Sequence, residues 1–166
     1  MGRTRRSPIV TEPAPSRVLG DLAATRALGA RLAAAIQGGE VIALRGPLGA
    51  GKSELARALI RARAGAAIEV PSPSFTLAQD YPIGDLVLRH VDLYRLAAPA
   101  ELIELGLDFP AAHEVWLVEW PERAGPDIMV PDLQITLEQG PTADARIAHF
   151  LAGPSWRARL VSLLDD

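Results

Sequence analysis

The chain has 166 residues, 17 Lys+Arg against 20 Asp+Glu, a net charge of −3 and 49% hydrophobic side chains. That length supports one domain with its own core, and the acidic balance argues against a nucleic-acid coat while leaving room for a local basic face. Cysteine is absent, which excludes disulfides, thiolate metal sites and a cysteine nucleophile, and no apolar run approaches the about 18–20 residues of a membrane span.

The cations are lopsided: sixteen are Arg and one is Lys, Lys52. With 28 Ala, 14 Gly and 14 Pro, this is the composition of a GC-rich coding sequence. Such a bias trims lysine wherever arginine serves, so a surviving lysine marks a position that arginine cannot fill.

Arg3, Arg5 and Arg6 open the chain, but Thr11–Ser16 is Pro-rich and polar where a signal peptide needs an apolar stretch. A cytoplasmic, non-membrane protein is expected. Residues 1–18 read as a disordered tail. Asp21 then caps a helix in which Leu28, Leu32 and Ile36 recur every four residues, stopped by Gly38-Gly39. Val41–Leu44 is a short buried-strand pattern. Gly46–Gly51 is a loop, and Lys52 to about Ala64 a second helix. Residues 65–76 are loop-like, since Pro71 and Pro73 bar a helix. Leu77–Tyr81 and Leu86–Val91 read as strands. Pro99 opens a helix to Leu105, closed by Gly106. Val115–Val118 is another apolar strand, followed by Glu119, Trp120 and Pro121. Leu133–Glu138 and Arg146–Leu151 read as late strands, and Ser155–Leu164 as a final helix. Strands alternating with helices imply an α/β sheet, partly parallel, with antiparallel pairs toward the chain ends.

The segment Gly46-Pro47-Leu48-Gly49-Ala50-Gly51-Lys52-Ser53 fits G-x-x-x-x-G-K-[ST]. Its glycines let the backbone curl so that N–H groups face an anion, and the following helix adds its positive end. Lys52 would reach the β- and γ-phosphates, and Ser53 would offer its hydroxyl to Mg²⁺. Residues 19–166 therefore read as a single P-loop NTPase-like domain, with a mixed sheet flanked by helices. Such a site needs an acidic residue at the end of a buried strand, and Glu119 is the candidate. Asp92 ends Leu86–Val91 and serves either to bind Mg²⁺ through water or to orient the attacking water. Ser72–Thr76 is a hydroxyl-rich loop with two readings: hydroxyls that sense the γ-phosphate and Mg²⁺, as in switch loops, or an ordinary turn, which leads. His90 has two readings, approach to the site or packing beside the strand end, of which packing leads; His113 and His149 read as ordinary residues, Trp116 as core and Trp156 as packing the last helix. Arg57, Arg61 and Arg63 read as a solvated helix face.

The blocks Gly46–Ser53, Ser72–Leu77, His90-Val91-Asp92-Leu93-Tyr94-Arg95-Leu96, Pro99 with Glu101, Leu102, Leu105 and Gly106, and Leu117–Pro121 together resemble the bacterial TsaE (YjeE) family. That family acts in tRNA threonylcarbamoyladenosine biosynthesis. The resemblance spans about residues 20–138. It implies a weak ATPase that binds ATP and Mg²⁺ and works with TsaD and TsaB type proteins, reaching tRNA through that complex. Carried over by motif, Lys52, Asp92 and Glu119 are catalytic, and Ser53 and Glu119 hold Mg²⁺. Gly46, Leu48, Gly49, Ala50, Gly51, Lys52, Ser53, Ser74 and Trp120 meet the nucleotide, with Ser74 as a switch-like hydroxyl. Departures are Ser for the family's usual Thr at 53 and 74, Pro47 for a frequent Asp, and Val91 for a common Phe. Both serines keep their hydroxyls. Two other readings of the phosphate loop stay open: a free-standing small-molecule kinase and a non-catalytic nucleotide-gated module. The oligomeric state is also left open.

Overall fold

The computed structural model describes residues 15–125 and 129–165. Seven strands form one sheet: β1 (Ser16–Leu19), β2 (Glu40–Arg45), β3 (Ala78–Ile83), β4 (Leu86–Asp92), β5 (Glu114–Glu119), β6 (Leu133–Gln139) and β7 (Arg146–Ala152). Their order is β1-β7-β6-β2-β5-β4-β3. The four central strands β6, β2, β5 and β4 are mutually parallel. β3 pairs antiparallel outside β4, and β7 and β1 continue antiparallel outside β6. This is the mixed α/β sheet expected from the sequence.

Strand side chains alternate between faces, and each face has its own core. Ile42, Leu44, Val115, Leu117, Ile135 and Leu137 face α1 (Leu22–Ala35), α2 (Lys52–Ala64) and α4 (Arg157–Leu164). Val41, Val91, Trp116 and Val118 face α3 (Ala100–Glu104) and the loops around it, through Leu96, Leu102, Leu107 and Ala124. Trp116 and Trp156 are fully buried, as anticipated.

Asp21 caps α1, its carboxylate accepting from Ala24 N–H at 2.8 Å. The helix ends at Ala35, before the two glycines, because Ile36 turns extended (ψ 147°) and buries its side chain. β3 begins at Ala78 rather than Leu77, which has a φ of +64°, and runs on through Pro82 as an edge strand, where the missing N–H is tolerated. One expectation needs correcting. Residues 16–18, read as the end of a tail, belong to β1, whose backbone is completed by pairing Ser16 with His149 through Leu19 with Arg146. Nearby prolines and alternating exposure hid this edge strand in the sequence. Residues 1–14 of that tail lie outside the described residues.

Helices α1 and α2 cross at Gly29. A Cβ there would lie 2.6 Å from Ala58 Cβ and 2.9 Å from the Leu59 nitrogen. Gly29→Val is expected to destabilise by about 2 kcal/mol through overpacking, measured by urea unfolding; an unchanged midpoint would refute this close packing.

Candidate phosphate and cation site

Parallel strands bring their carboxyl ends to one edge of a sheet, where α/β proteins gather their ligands. Here Leu44 pairs with Glu119, and Asp92 pairs with Glu119. Both acids therefore end neighbouring strands at the level where β2 enters the glycine loop. Alternation puts His90, Asp92 and Glu119 on the face that carries α2, and all three are buried.

The loop joins β2 to α2. Gly46 admits no side chain: a Cβ would lie 2.4 Å from the Leu137 carbonyl oxygen, and its φ is +140°. Gly51 enters α2 in the left-handed region (φ +100°) with no side-chain cap, so the first N–H groups of the helix face the cavity rather than a capping oxygen. Lys52 is buried. Its ammonium donates to the carbonyls of Gly46 (2.6 Å) and Pro47 (2.8 Å) and lies 4.2 Å from the Trp120 ring centroid. Burial lowers its pKa below the usual lysine range, opposed by the charges of Glu119, Glu122 and Asp92.

Ser53 Oγ donates to Glu119 Oε1 at 2.7 Å, and His90 Nε2 lies 2.8 Å from Glu119 Oε2. Both carboxylate oxygens are thus engaged, one from the loop helix and one from the sheet, while His90 Nδ1 has no hydrogen-bond partner among the described residues. Asp92 is held likewise: Tyr94 N–H donates to Oδ1 (2.9 Å), and Ser74 and Ser72 donate to Oδ2 (3.2 and 3.4 Å). Trp120 has a φ of +56°, sparsely populated for a bulky residue. The turn starts a short 3-10 segment at Pro121 and sets the Trp120 ring 5.1 Å from that of Tyr94.

A cavity of about 320 Å³ opens between the glycine loop and the two strand ends. Leu48, Gly49, Ala50, Gly51, Lys52, Ser53, Ser74, Asp92, Glu119 and Trp120, all singled out from the sequence, line it. Gly46 does not; its carbonyl holds Lys52 from outside. Glu54, Arg57, Ser72 and Tyr94 also line the cavity and were missed. Three sequence readings change here. His90 does more than pack, since it meets Glu119. The Ser72–Ser74 loop is no bland turn, since its hydroxyls reach Asp92. The α2 arginines are not a solvated face: Arg57 donates to the Val70 carbonyl (3.0 Å) and pairs with Glu54, Arg61 donates to Ile68 (2.9 Å), and Arg63 to Ala33 (3.3 Å). Periodicity marked them as charged but could not show that the following loop folds back under Arg57 and Arg61, or that α1 brings the Ala33 carbonyl to Arg63.

Mg²⁺ prefers one or two protein oxygens plus water and phosphate over an all-protein cage. A hydroxyl and a carboxylate 2.7 Å apart beside the glycine loop suit that preference, and no cluster of three or more His, Cys, Asp or Glu able to hold a metal occurs among the described residues.

Fold and site define an α/β protein with a glycine loop and two strand-end carboxylates converging at one edge of a mixed sheet. The chain belongs to the TsaE family: residues 19–147 match the family described as "Threonylcarbamoyl adenosine biosynthesis protein TsaE". It is similar to tRNA threonylcarbamoyladenosine biosynthesis protein TsaE of Streptomyces coelicolor, 36% identical over 84% of this chain and 98% of that protein. The protein of the same name from Synechocystis is 41% identical over 63% of this chain and 69% of its own length. The crystal structure of YdiB from Bacillus subtilis superposes with a TM-score of 0.69 at 27% identity, covering 90% of this chain and 93% of the other. The family's role is tRNA threonylcarbamoyladenosine biosynthesis, as the sequence blocks implied. No described helix is long and apolar enough to cross a membrane.

Proposed function

We propose that this chain binds ATP with Mg²⁺ in the cavity at the sheet edge, hydrolyses it slowly alone, and uses that cycle to drive turnover of a TsaD–TsaB complex. That complex would modify the adenosine next to the tRNA anticodon, with tRNA contacts made through it, in the cytoplasm. One observation carries the nucleotide reading: Ser53, on the first turn of α2, meets Glu119, at the end of β5, at 2.7 Å beside the lone lysine.

The residues divide the work. Lys52 leaves its two loop carbonyls to neutralise phosphate oxygens. Backbone N–H groups of Gly49, Gly51, Lys52 and Ser53 cradle the phosphates, while the Ala50 N–H stays on the Pro47 carbonyl. Ser53 and Glu119 would hold Mg²⁺, which when bound neutralises charge on the β- and γ-phosphates. His90 fixes the second oxygen of Glu119. Asp92, oriented by Tyr94 N–H and Ser74, aligns the attacking water and accepts its proton. Trp120 covers Lys52 and limits water access.

The test is ATP turnover and modified tRNA formed by a TsaD–TsaB mixture with and without this protein. Faster hydrolysis in the mixture and multiple rounds of modification are expected. Hydrolysis unaffected by the partners, with modification equally frequent without this chain, would sink the proposal.

A further inference from the structure

Arg146 is remote in sequence from the glycine loop, yet it is the first residue of β7 and reaches across to the back of that loop. Its Nε donates to the Ala50 carbonyl at 3.2 Å and Nη2 to the Gly49 carbonyl at 3.3 Å. Nη1 donates to the carbonyls of Ala143 (2.9 Å) and Ala145 (2.8 Å). One planar guanidinium thus ties the β6–β7 turn to two consecutive peptides of the loop. All four acceptors are main-chain carbonyls.

We infer that Arg146 is a positioning residue that holds the glycine loop in its phosphate-receiving conformation; this rests on the ATP reading above. The argument is peptide geometry. In a trans peptide the C=O and the next N–H point in opposite directions. Fixing the Ala50 carbonyl on Arg146 turns the Gly51 N–H away from the guanidinium. Fixing the Gly49 carbonyl turns the Ala50 N–H onto the Pro47 carbonyl, at 3.1 Å. That same Pro47 carbonyl accepts from Lys52. The chain of bonds therefore runs from Arg146 through two loop peptides to the lysine. Glycines at 49 and 51 make this stretch conformationally free (φ +76° and +100°), so an outside clamp must select one arrangement. A fork of donors suits two neighbouring carbonyls as a single ammonium does not.

The experiment compares Arg146→Gln and Arg146→Lys with the wild type, and with Arg89→Gln as a control. Arg89 pairs with Asp80 near the opposite sheet edge. Titration calorimetry measures ATP·Mg²⁺ and inorganic triphosphate·Mg²⁺, and amide exchange is followed at Ala50, whose N–H is held by the Pro47 carbonyl, in the nucleotide-free protein. Losing these bonds is expected to weaken both ligands together by about tenfold in Arg146→Gln, to speed Ala50 exchange, and to leave Arg89→Gln unchanged. Arg146→Lys should fall between. If Arg146→Gln does not fold, an intermediate loss in Arg146→Lys supports the inference and an undiminished affinity overturns it. Unchanged affinity in Arg146→Gln also overturns it. So does a loss for ATP alone, because the arginine would then touch the nucleoside rather than shape the loop. If the wild type binds neither ligand, the nucleotide reading itself falls instead.

Discussion

Replacing Lys52 with Met is expected to lower ATP hydrolysis by about 10²–10³-fold, the cost of losing a charge aimed at the transferred phosphoryl group. Lys52→Arg should not restore it. The ammonium sits between two carbonyls at 2.6 and 2.8 Å with the Trp120 ring 4.2 Å away. A planar guanidinium is too broad for that slot. The composition supplies an independent readout. The sequence has one lysine, so an acylating reagent has two amine targets, Lys52 and the chain's α-amino group. Burial lowers the Lys52 pKa, so at a given alkaline pH more of it is the reactive neutral amine than for an ordinary lysine. ATP with Mg²⁺ should protect Lys52 and leave the α-amino group labelling as before. Equal labelling of Lys52 at saturating ATP would show that no phosphate reaches it. The lysine that codon bias spared is thus the one whose shape and charge arginine cannot copy.

Much of this site was legible because its parts are local. A loop pattern between an apolar strand and a helix needs only eight consecutive residues, Gly46 to Ser53. Glu119 and Asp92 each close an apolar run, and parallel strands carry such ends to one edge. What stayed hidden depends on register. That Asp92 pairs directly with Glu119 follows from how two strands far apart in sequence align. Only that alignment brings His90 onto Glu119, and only the packing of α2 brings Ser53 there. The α2 arginines were misread for the same reason: two acceptors are carbonyls at residues 68 and 70, where the following loop folds back, and the third is Ala33 on α1. None of these contacts has a periodic signature. Strand β1 was invisible because its partner, β7, lies at the other end of the chain. Trp120 could be placed beside the site by resemblance, but its left-handed backbone, which lays the ring over Lys52, is a property of the turn into Pro121.

Two carboxylates end neighbouring strands, and they should fail differently. Asp92→Asn preserves shape and keeps an oxygen for the Tyr94 N–H, bound at 2.9 Å. It removes the charge that would accept a proton from water. Hydrolysis should fall by about 10²–10³-fold, while ATP affinity stays within about threefold, since no bond to Lys52 or Ser53 is broken. Glu119→Gln acts elsewhere. Its two oxygens are spoken for by Ser53 and His90, and an amide can replace only one as acceptor. Its loss should weaken ATP chiefly in the presence of Mg²⁺, bringing the affinity toward the value measured with a chelator. The pair of measurements is ATP affinity with and without Mg²⁺, beside single-turnover hydrolysis, for both variants. A Mg²⁺-dependent loss of affinity in Asp92→Asn, with none in Glu119→Gln, would reverse the roles assigned to the two strand ends. The register Asp92–Glu119 makes the contrast meaningful: the groups are neighbours on one sheet edge, so distance from the cavity cannot explain a difference between them. What differs is their partners. Glu119 is tied to the helix that follows the glycine loop, and Asp92 to the Ser72–Ser74 loop and the turn at Tyr94. A cation held at the first and a water aligned at the second is the division of labour those partners favour.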